Sequence, residues 1–413
     1  MKKIVVIGAG AAGILAALQA AKKDDNKVIL MERNDRIGRK LMITGKGRCN
    51  ITNVADLPTF IKNIPGNGKF LYSAFRNFFN DDVISFFEKI GVATKVERGG
   101  RVFPQSDRAV EVVDTLCKCL YDAKVELQLN TKAMKIITAD HKVTGVKTAV
   151  GQITSADVVI LAAGGSSYPA TGSDGNGVHL ASVLGHTIEE LHPALVPLET
   201  DLDWVKNLQG LSLRNVRVSV FTEGKKSAEM FGEMMFTHFG VTGPIILSLS
   251  RAIAISLSKR QKVFLTINLK PALTPEQLDA RLQRDFKKYA HKQMKNAMID
   301  LLPHRLIPII LDLAYINGEK PADQLSKKER YKLVATLRNL SVDITKSRPL
   351  AEAIVTCGGV NVKEIDPKTM QSKLIDGLYF AGEVVDVDGY TGGFNLQAAF
   401  SMGYTAGKNA ADC

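Results

Sequence analysis

Two short apolar runs at the start of the chain predict the first elements of its fold. Residues 4–7 (IVVI) are β-branched, which is typical of a strand buried in a parallel sheet. Residues 14–21 are uncharged and favour a helix, and residues 28–31 (VILM) form a second apolar run. This order of strand, helix and strand within the first 32 residues predicts an α/β fold with a parallel sheet.

The turn between the first strand and the first helix has the sequence GAGAAG. Gly8 permits a tight turn, Gly10 lets the backbone approach a pyrophosphate, and Gly13 lets the helix pack close to the strand. The phosphate charge would lie at the N-terminus of the helix. Glu32 follows the second strand, where a carboxylate can accept hydrogen bonds from both ribose hydroxyls of an adenosine. An acid at this position argues against a 2′-phosphate, so these residues favour NAD or FAD over NADP.

Two more apolar runs end in small residues, far apart along the chain. Residues 157–161 lead into Ala162-Ala163-Gly164-Gly165, and residues 377–380 lead into Ala381-Gly382-Glu383. Such junctions let backbone pass beside a flat or charged cofactor without obstruction by side chains. Because the junctions lie in distant segments, we expect those segments to share one ligand in a discontinuous nucleotide-binding domain.

The segment between these ends has a different pattern. Residues 216–221 and 262–269 alternate as strands do, whereas Thr274-Pro275 and the capping box of Ser326 and Glu329 open helices. The predicted domains are a discontinuous cofactor-binding domain, a β-rich insertion and a basic helical insertion. Their bounds are residues 1–191 with 349–413, residues 192–271, and residues 272–348.

Charge is concentrated in the helical insertion. The chain has 54 Lys and Arg against 42 Asp and Glu, a net charge of +12. Residues 272–348 hold 15 of the former and 9 of the latter, and therefore half of the excess. Two interpretations stay open: a solvated helical cap, or an electrostatic footprint for a phosphate backbone.

Cysteine usage and hydropathy narrow the class of protein. Five cysteines without a CxxC pair indicate reduced thiols and no zinc site. The uncharged run 4–21 imitates a signal peptide, but its glycines and alanines fit the strand–turn–helix better. We expect a soluble cytoplasmic protein without a metal or a membrane span.

Longer motifs carry a resemblance to a known family. GAGAAG, Glu32, the loop 171–175 (TGSDG) and GLYFAGE resemble flavoproteins with two dinucleotide-binding domains. Within that group, TGKGRCNITN, THFGVTGPIILSLSR and GYTGGFNLQAAFSMGYTAG resemble one bacterial family of NAD(P)/FAD-dependent oxidoreductases, also called aminoacetone-oxidase-family or BaiN-type flavoproteins. The resemblance implies FAD as cofactor and a Rossmann-like FAD-binding domain assembled from both chain ends. It also implies that the inserted segment has a β-barrel-like part and an α-helical part.

The motifs and the resemblance together give a set of candidate FAD-binding residues. Backbone N–H groups at the start of the helix near Asn395 are expected to face the flavin pyrimidine edge. The candidates are Gly8, Ala9, Gly10, Ala11, Ala12, Gly13, Glu32, Arg33, Arg39, Lys40, Thr44, Gly45, Gly47, Arg48, Asn50, Ala133, Ala163, Gly164, Gly165, Gly382, Glu383, Gly393, Asn395, Leu396, Gln397 and Ala398.

The family resemblance implies reduction of an activated C=C bond, which needs a hydride and a proton donor. The candidate donors are Cys49, Tyr390 and His238, with Tyr168 and Arg101 as rivals. We expect Arg48 to lower the pKa of its neighbour Cys49. Because the chain has one full GxGxxG motif, we expect NAD(P)H to bind transiently as the reductant.

The preferred function is reduction of a uridine of 23S ribosomal RNA to dihydrouridine. Alternatives are a reductase of a small-molecule enone such as a bile-acid-like steroid, an O₂-using amine or aminoketone oxidase, and a non-catalytic flavin-containing RNA-binding protein. For the RNA hypothesis, spacings of three and four predict a basic helix face that includes Arg284, Lys288 and Lys292.

Overall fold

The computed structural model describes residues 1–412 and divides them into two compact units. Unit 1 consists of Met1–Ala194 and the described residues from Leu350 onward, and unit 2 is Leu195–Pro349. The strands are β1 (Lys2–Ile7), β2 (Asn26–Met31), β3 (Thr52–Asn53), β4 (Thr94–Glu97), β5 (Arg101–Pro104), β6 (Glu126–Gln128), β7 (Ala133–Ala139), β8 (Lys142–Thr148), β9 (Ile153–Ser155), β10 (Val158–Leu161), β11 (Ile188–Ala194), β12 (Leu198–Glu199), β13 (Ser212–Thr222), β14 (Lys225–Phe236), β15 (Gly240–Thr242), β16 (Val263–Asn268), β17 (Leu340–Ile344), β18 (Lys346–Ser347), β19 (Val355–Val360) and β20 (Leu378–Phe380). The α-helices are α1 (Ala11–Ala20), α2 (Arg39–Ile43), α3 (Leu57–Lys62), α4 (Tyr72–Asn77), α5 (Asn80–Lys89), α6 (Ala109–Asp122), α7 (Asn176–Val183), α8 (Asp203–Asn207), α9 (Pro244–Ser258), α10 (Pro275–Lys288), α11 (Met294–Ala297), α12 (Ile307–Leu313), α13 (Lys327–Arg338) and α14 (Phe394–Asp412).

The centre of unit 1 is a five-stranded sheet in the order β20-β10-β1-β2-β6. All four pairings are parallel, and Ile4 of β1 lies opposite Val158 on one side and Val28 on the other. The last four residues of β1 and of β2, and all of β10 and β20, are buried, which explains why these strands are apolar runs without alternation. Because β20 comes from the C-terminal segment, both chain ends build this Rossmann-like domain, as predicted.

Helix α1 is buried along its whole length and packs against the C-terminal helix α14. Gly403 and Gly407 of α14 face the backbone of Ala12 and Ala16, where any larger residue would clash. The start of α1 lies at the carboxyl ends of β1 and β10, because α1 follows β1 in the chain and the N–H of Ala162, after β10, donates to the Ile7 carbonyl at 2.9 Å.

Unit 1 also contains three smaller antiparallel sheets: β3-β5-β4, β7-β8-β9, and the pair β11-β19. The first follows the glycine-rich loop of residues 44–50, and the third flanks the junction that begins at Gly164.

Unit 2 is built on a seven-stranded antiparallel sheet in the order β17-β16-β13-β14-β15-β12-β18. Its described pairings do not join the two edge strands, so the expected barrel-like part is not confirmed. Helix α9 lies within the range predicted as β-rich, and β17 lies within the range predicted as helical. Strands and helices of both ranges share one apolar core that includes Leu265 and Leu337.

Within residues 1–412, none of the helices combines the length and the apolar character needed to span a membrane.

Candidate functional site

The turn between β1 and α1 has space for a ligand at one glycine only. A Cβ atom on Gly8 would lie 2.6 Å from the carbonyl oxygen of Ala162, and one on Gly13 would lie 1.8 Å from the carbonyl oxygen of Gly8. A Cβ atom on Gly10 would meet nothing within 4 Å. Gly10 precedes the first turn of α1, whose N–H groups lack partners within the helix. This cradle therefore fits the pyrophosphate of a dinucleotide.

Glu32 lies at the carboxyl end of β2, beside this turn. Its Oε2 accepts a 2.8 Å hydrogen bond from the N–H of Ala9, and its Oε1 accepts from the N–H and the Nδ2 of Asn34 at 2.9 and 2.7 Å. The side chain is buried. Glu32 thus fixes the glycine turn relative to β2.

The loop 171–175 is joined to the end of β2. Asn34 Nδ2 donates to the Thr171 carbonyl at 3.0 Å, and both Arg33 and Lys132 form ion pairs with Asp174. Burial acts to raise the pKa of Asp174, but hydrogen bonds from Lys132 and Arg33 outweigh it and hold that pKa below its usual value.

Ala133 and Arg39 complete this part of the candidate set. The carbonyl oxygen of Ala133, which is buried, accepts from Asn176 Nδ2 at 2.9 Å. Arg39 pairs with Asp35 at 2.6 Å.

A polar network surrounds the glycine junctions that follow β10 and β20. Lys40 Nζ lies 2.6 Å from Glu383 Oε2 and also donates to Ser167 Oγ at 2.6 Å. Glu383 Oε1 accepts from Ser167 Oγ at 3.0 Å and from the Thr356 N–H at 2.6 Å. The sequence predicted Lys40 and Glu383 but missed Ser167 and Thr356, which are distant in sequence. The one sequence signal that could have indicated Ser167 is its position two residues after Gly165, at the end of the strand–glycine junction.

Gly165 lets this network form, and Gly382 lets the second junction approach α1. A Cβ atom on Gly165 would lie 2.4 Å from Thr356 Oγ1, and one on Gly382 would lie 2.8 Å from the Cβ of Ala12. The second junction therefore packs directly against α1.

The loop 44–50 winds tightly and is held against the start of α14. Gly45, Lys46, Gly47 and Cys49 all have φ between +57° and +85°. The Asn50 side-chain amide, oriented as its neighbours require, accepts from the Gly393 N–H at 2.9 Å and donates to the Thr52 carbonyl at 3.1 Å.

The start of α14 is fixed by two buried or half-buried amides. Gln397 Oε1 accepts from Thr52 Oγ1 at 2.5 Å. Asn395 accepts from the Gly389 N–H at 2.8 Å and donates to the carbonyl oxygens of Gly389 and Tyr390 at 2.8 and 3.2 Å. The structure thus brings the predicted groups at residues 44–50 and 393–398 together, with Leu396 and Ala398 on the same first turns of the helix.

The expectation that Arg48 lowers the pKa of Cys49 is wrong. Cys49 is fully buried, and this burial raises its pKa to about 12 against a smaller opposing effect of a hydrogen bond with Thr44. The Arg48 guanidinium is instead paired with Glu97 at 2.8 Å and with Asp107 at 3.3 Å. Its Cζ atom lies 4.0 Å from the centre of the Phe103 ring.

The other candidate proton donors have different surroundings. Tyr390 is half-buried in unit 1, where its N–H donates to the Asn63 carbonyl at 2.8 Å. His238 is exposed in unit 2, with its ring edge-on to Phe239. Of the rivals, Tyr168 is half-buried and Arg101 pairs with Glu97.

The prediction that Arg284, Lys288 and Lys292 share one helix face is wrong. Helix α10 ends at Lys288, so Lys292 lies beyond it and cannot share its face. Lys288 is also paired with Asp300 at 2.9 Å, whereas Arg284 and Lys292 remain exposed without an ion pair among the described residues.

Within residues 1–412, no group of three or more His, Cys, Asp or Glu side chains could hold a metal ion.

The fold and the glycine cradle define a dinucleotide-binding protein, and the comparisons with known proteins show that it is an FAD-dependent oxidoreductase. The chain belongs to the family described as HI0933-like protein Rossmann domain, whose profile matches residues 2–409. It is 33% identical to the 3-dehydro-bile acid Δ(4,6)-reductase of Clostridium scindens over 100% of both chains. It is 30% identical to the ribosomal RNA dihydrouridine synthase of Haemophilus influenzae, over 97% of this chain and 96% of the relative.

Solved structures share the fold at lower identity. The 3-ketosteroid Δ1-dehydrogenase of Sterolibacterium denitrificans matches with a TM-score of 0.53 and 15% identity, over 100% of both chains. The 3-ketosteroid Δ4-(5α)-dehydrogenase of Rhodococcus jostii matches with a TM-score of 0.50 and 16% identity, over 99% of this chain and 97% of that one.

Proposed function

We propose that this protein reduces a uridine of 23S ribosomal RNA to dihydrouridine, with NAD(P)H as a transient reductant. The observation that carries the proposal is the set of exposed cations in the helical part of unit 2 that have no ion pair among the described residues, such as Arg284, Lys292 and Lys328. A small-molecule enone with at most one carboxylate does not require such a set, whereas an RNA backbone does. The relative named as a ribosomal RNA dihydrouridine synthase supports the same substrate.

The residues of unit 1 have complementary roles toward the cofactor. Gly10 and the N-terminus of α1 would hold the pyrophosphate, and Glu32 would accept hydrogen bonds from the adenosine ribose. The network of Lys40 and Glu383 would anchor the central part of the cofactor. The loop 44–50 and the start of α14 would enclose the flavin ring. Bound FAD supplies the hydride.

The uridine C5=C6 bond takes up a hydride at one carbon and a proton at its neighbour. A proton donor must come within hydrogen-bond reach of the substrate. Cys49 keeps its proton at neutral pH but has no exposed surface, whereas Tyr390 is half-buried on a segment fixed by Asn395. We therefore assign the proton to the Tyr390 hydroxyl.

The main alternative is reduction of a small-molecule enone, which the relative from Clostridium scindens supports. Stopped-flow kinetics separate the candidates. The purified protein is reduced anaerobically with NADH or NADPH and then mixed with a 23S ribosomal RNA transcript, a 3-keto-steroid enone, or O₂. The proposal expects reoxidation to be fastest with the RNA, and fastest reoxidation by the enone or by O₂ would contradict it.

A further inference from the structure

We propose that unit 2 docks an unpaired segment of RNA on helix α13 and Tyr315, and not on helix α10. The proposal rests on the proposed function, since it locates the surface that holds the RNA substrate. We call the exposed groups Tyr315, Lys327, Lys328, Tyr331 and Lys332 the α13 surface.

Three cations of the α13 surface are free to meet phosphate. Lys327, Lys328 and Lys332 are exposed, and within residues 1–412 no carboxylate lies within 4.0 Å of their Nζ atoms. In the other part of the helical range, Lys288 pairs with Asp300 and Lys295 pairs with Glu319. The cations Arg284, Lys287 and Lys292 are exposed without such a pair, so the exposed tyrosine rings described below are what distinguishes the α13 surface. A lysine that binds a phosphate displaces a counterion from the RNA, which favours binding. A lysine without a carboxylate partner can do so without first breaking an ion pair within the protein.

Lys327 and Lys328 lie at a position where their charge does not stabilise the helix. Helix α13 begins at Lys327, so Lys327 and Lys328 lie in its first turn. The N-terminus of a helix carries partial positive charge, which repels cations and attracts anions. Ser326 already accepts from the N–H of Glu329 at this end, so the two lysines act on a phosphate together with the remaining N–H groups of the first turn.

Two tyrosine rings stand among these lysines. Tyr315 is 84% exposed and Tyr331 is 52% exposed. Lys332 Nζ lies 5.5 Å from the centre of the Tyr315 ring, and Lys327 Nζ lies 5.6 Å from the centre of the Tyr331 ring. Exposed aromatic rings interleaved with cations suit unstacked bases and their phosphates. A uridine must leave its stack before a flavin can reach it, so the RNA substrate offers such bases.

Helix α13 is anchored to unit 2 by the face opposite to the α13 surface. Leu333, Val334 and Leu337 are buried in the core of unit 2. Arg330 pairs with Asp279 at 2.5 Å, and Lys320 pairs with Glu329 at 2.8 Å. Substitutions on the exposed face should therefore leave the fold intact.

The first test compares two triple charge reversals that change the net charge equally. One is Lys327→Glu/Lys328→Glu/Lys332→Glu, and the control is Arg284→Glu/Lys287→Glu/Lys292→Glu, whose residues are also exposed. The probe is a transcribed fragment of 23S ribosomal RNA, and its affinity is measured by fluorescence anisotropy over a range of salt concentrations. Flavin absorbance and Tm verify that both variants are folded.

We expect the α13 reversal to weaken binding at least tenfold and to reduce the log–log salt slope by about 2, at roughly 0.7 per lost phosphate contact. The control should retain most of the affinity and slope. An equal or larger effect of the control, or no RNA binding by the wild-type protein, would overturn the proposal.

The second test separates stacking from charge. Tyr315→Leu and Tyr331→Leu should each weaken binding about fivefold or more, whereas Tyr315→Phe and Tyr331→Phe should bind like wild type. Leucine variants that bind like wild type would contradict a stacking role.

Dihydrouridine in cellular ribosomal RNA distinguishes this proposal from the proposed function. If deletion of the gene removes no dihydrouridine, the proposed function fails. If deletion removes it and the α13 reversal restores it as fully as wild type, the α13 proposal alone fails.

Discussion

A Cβ atom on Gly403 would lie 2.1 Å from the carbonyl oxygen of Ala12. The backbones of α14 and α1 are therefore in direct contact at this point, two residues after Gly10. Since Gly393 directly precedes α14 and Asn395 to Ala398 lie in its first turns, this contact sets the distance between the two ends of the candidate flavin site.

Replacing Gly403 by alanine should disturb that distance. We expect Gly403→Ala to lower the free energy of unfolding by about 1–3 kcal/mol through overpacking, and to lower FAD content. Thermal denaturation and flavin absorbance per protein measure both effects. Gly318→Ala is the matched control because its Cβ would meet only ordinary contacts at 3.6 Å or more. Equal behaviour of the two variants would show that the helices tolerate a wider spacing.

The Glu32 carboxylate should be required for FAD affinity. In Glu32→Gln, an NH₂ group replaces one of the two oxygens that accept from Ala9 and Asn34. We expect the Kd for FAD to rise roughly tenfold or more, as for loss of a hydrogen bond to a charged group. Titration of the apoprotein with FAD measures it. Glu126→Gln, which removes an exposed ion pair with Lys27 in the same sheet, should leave the Kd unchanged.

The proton donor can be tested with two variants. Tyr390→Phe should lower the rate of substrate reduction by roughly 10²-fold or more, while reduction of the bound flavin by NAD(P)H stays fast. Cys49→Ala should retain substrate turnover per bound flavin because the thiol is buried. The reverse pattern would assign the proton to Cys49.

Stability should fall in acid because of a buried histidine. Burial lowers the pKa of His186 below 6.5, although its hydrogen bond with Glu364 opposes this shift. A group whose pKa is lower in the folded state stabilises the protein above its unfolded pKa, and that stability is lost as the pH falls. The Tm of the wild type should therefore drop below about pH 6.5. The drop should be smaller in His186→Gln, while the exposed-site control His141→Gln should follow the wild type.

Local patterns predicted the parts of the fold that depend on neighbouring residues. The strand, the GAGAAG turn, α1 and the acid at Glu32 need only 32 residues, and the structure has them all. The burial of Cys49 and the partners of Glu383 depend on segments far apart in sequence, which no local pattern records. The basic face failed because α10 ends at Lys288, although spacing alone could have continued the helix to Lys295.

The most direct test of the account is the dihydrouridine content of 23S ribosomal RNA in a strain that lacks this gene. Nucleoside mass spectrometry should show the loss of one dihydrouridine, restored by the wild-type gene and not by the Tyr390→Phe variant. An unchanged dihydrouridine content in the deletion strain would contradict the account and move the substrate to a small-molecule enone.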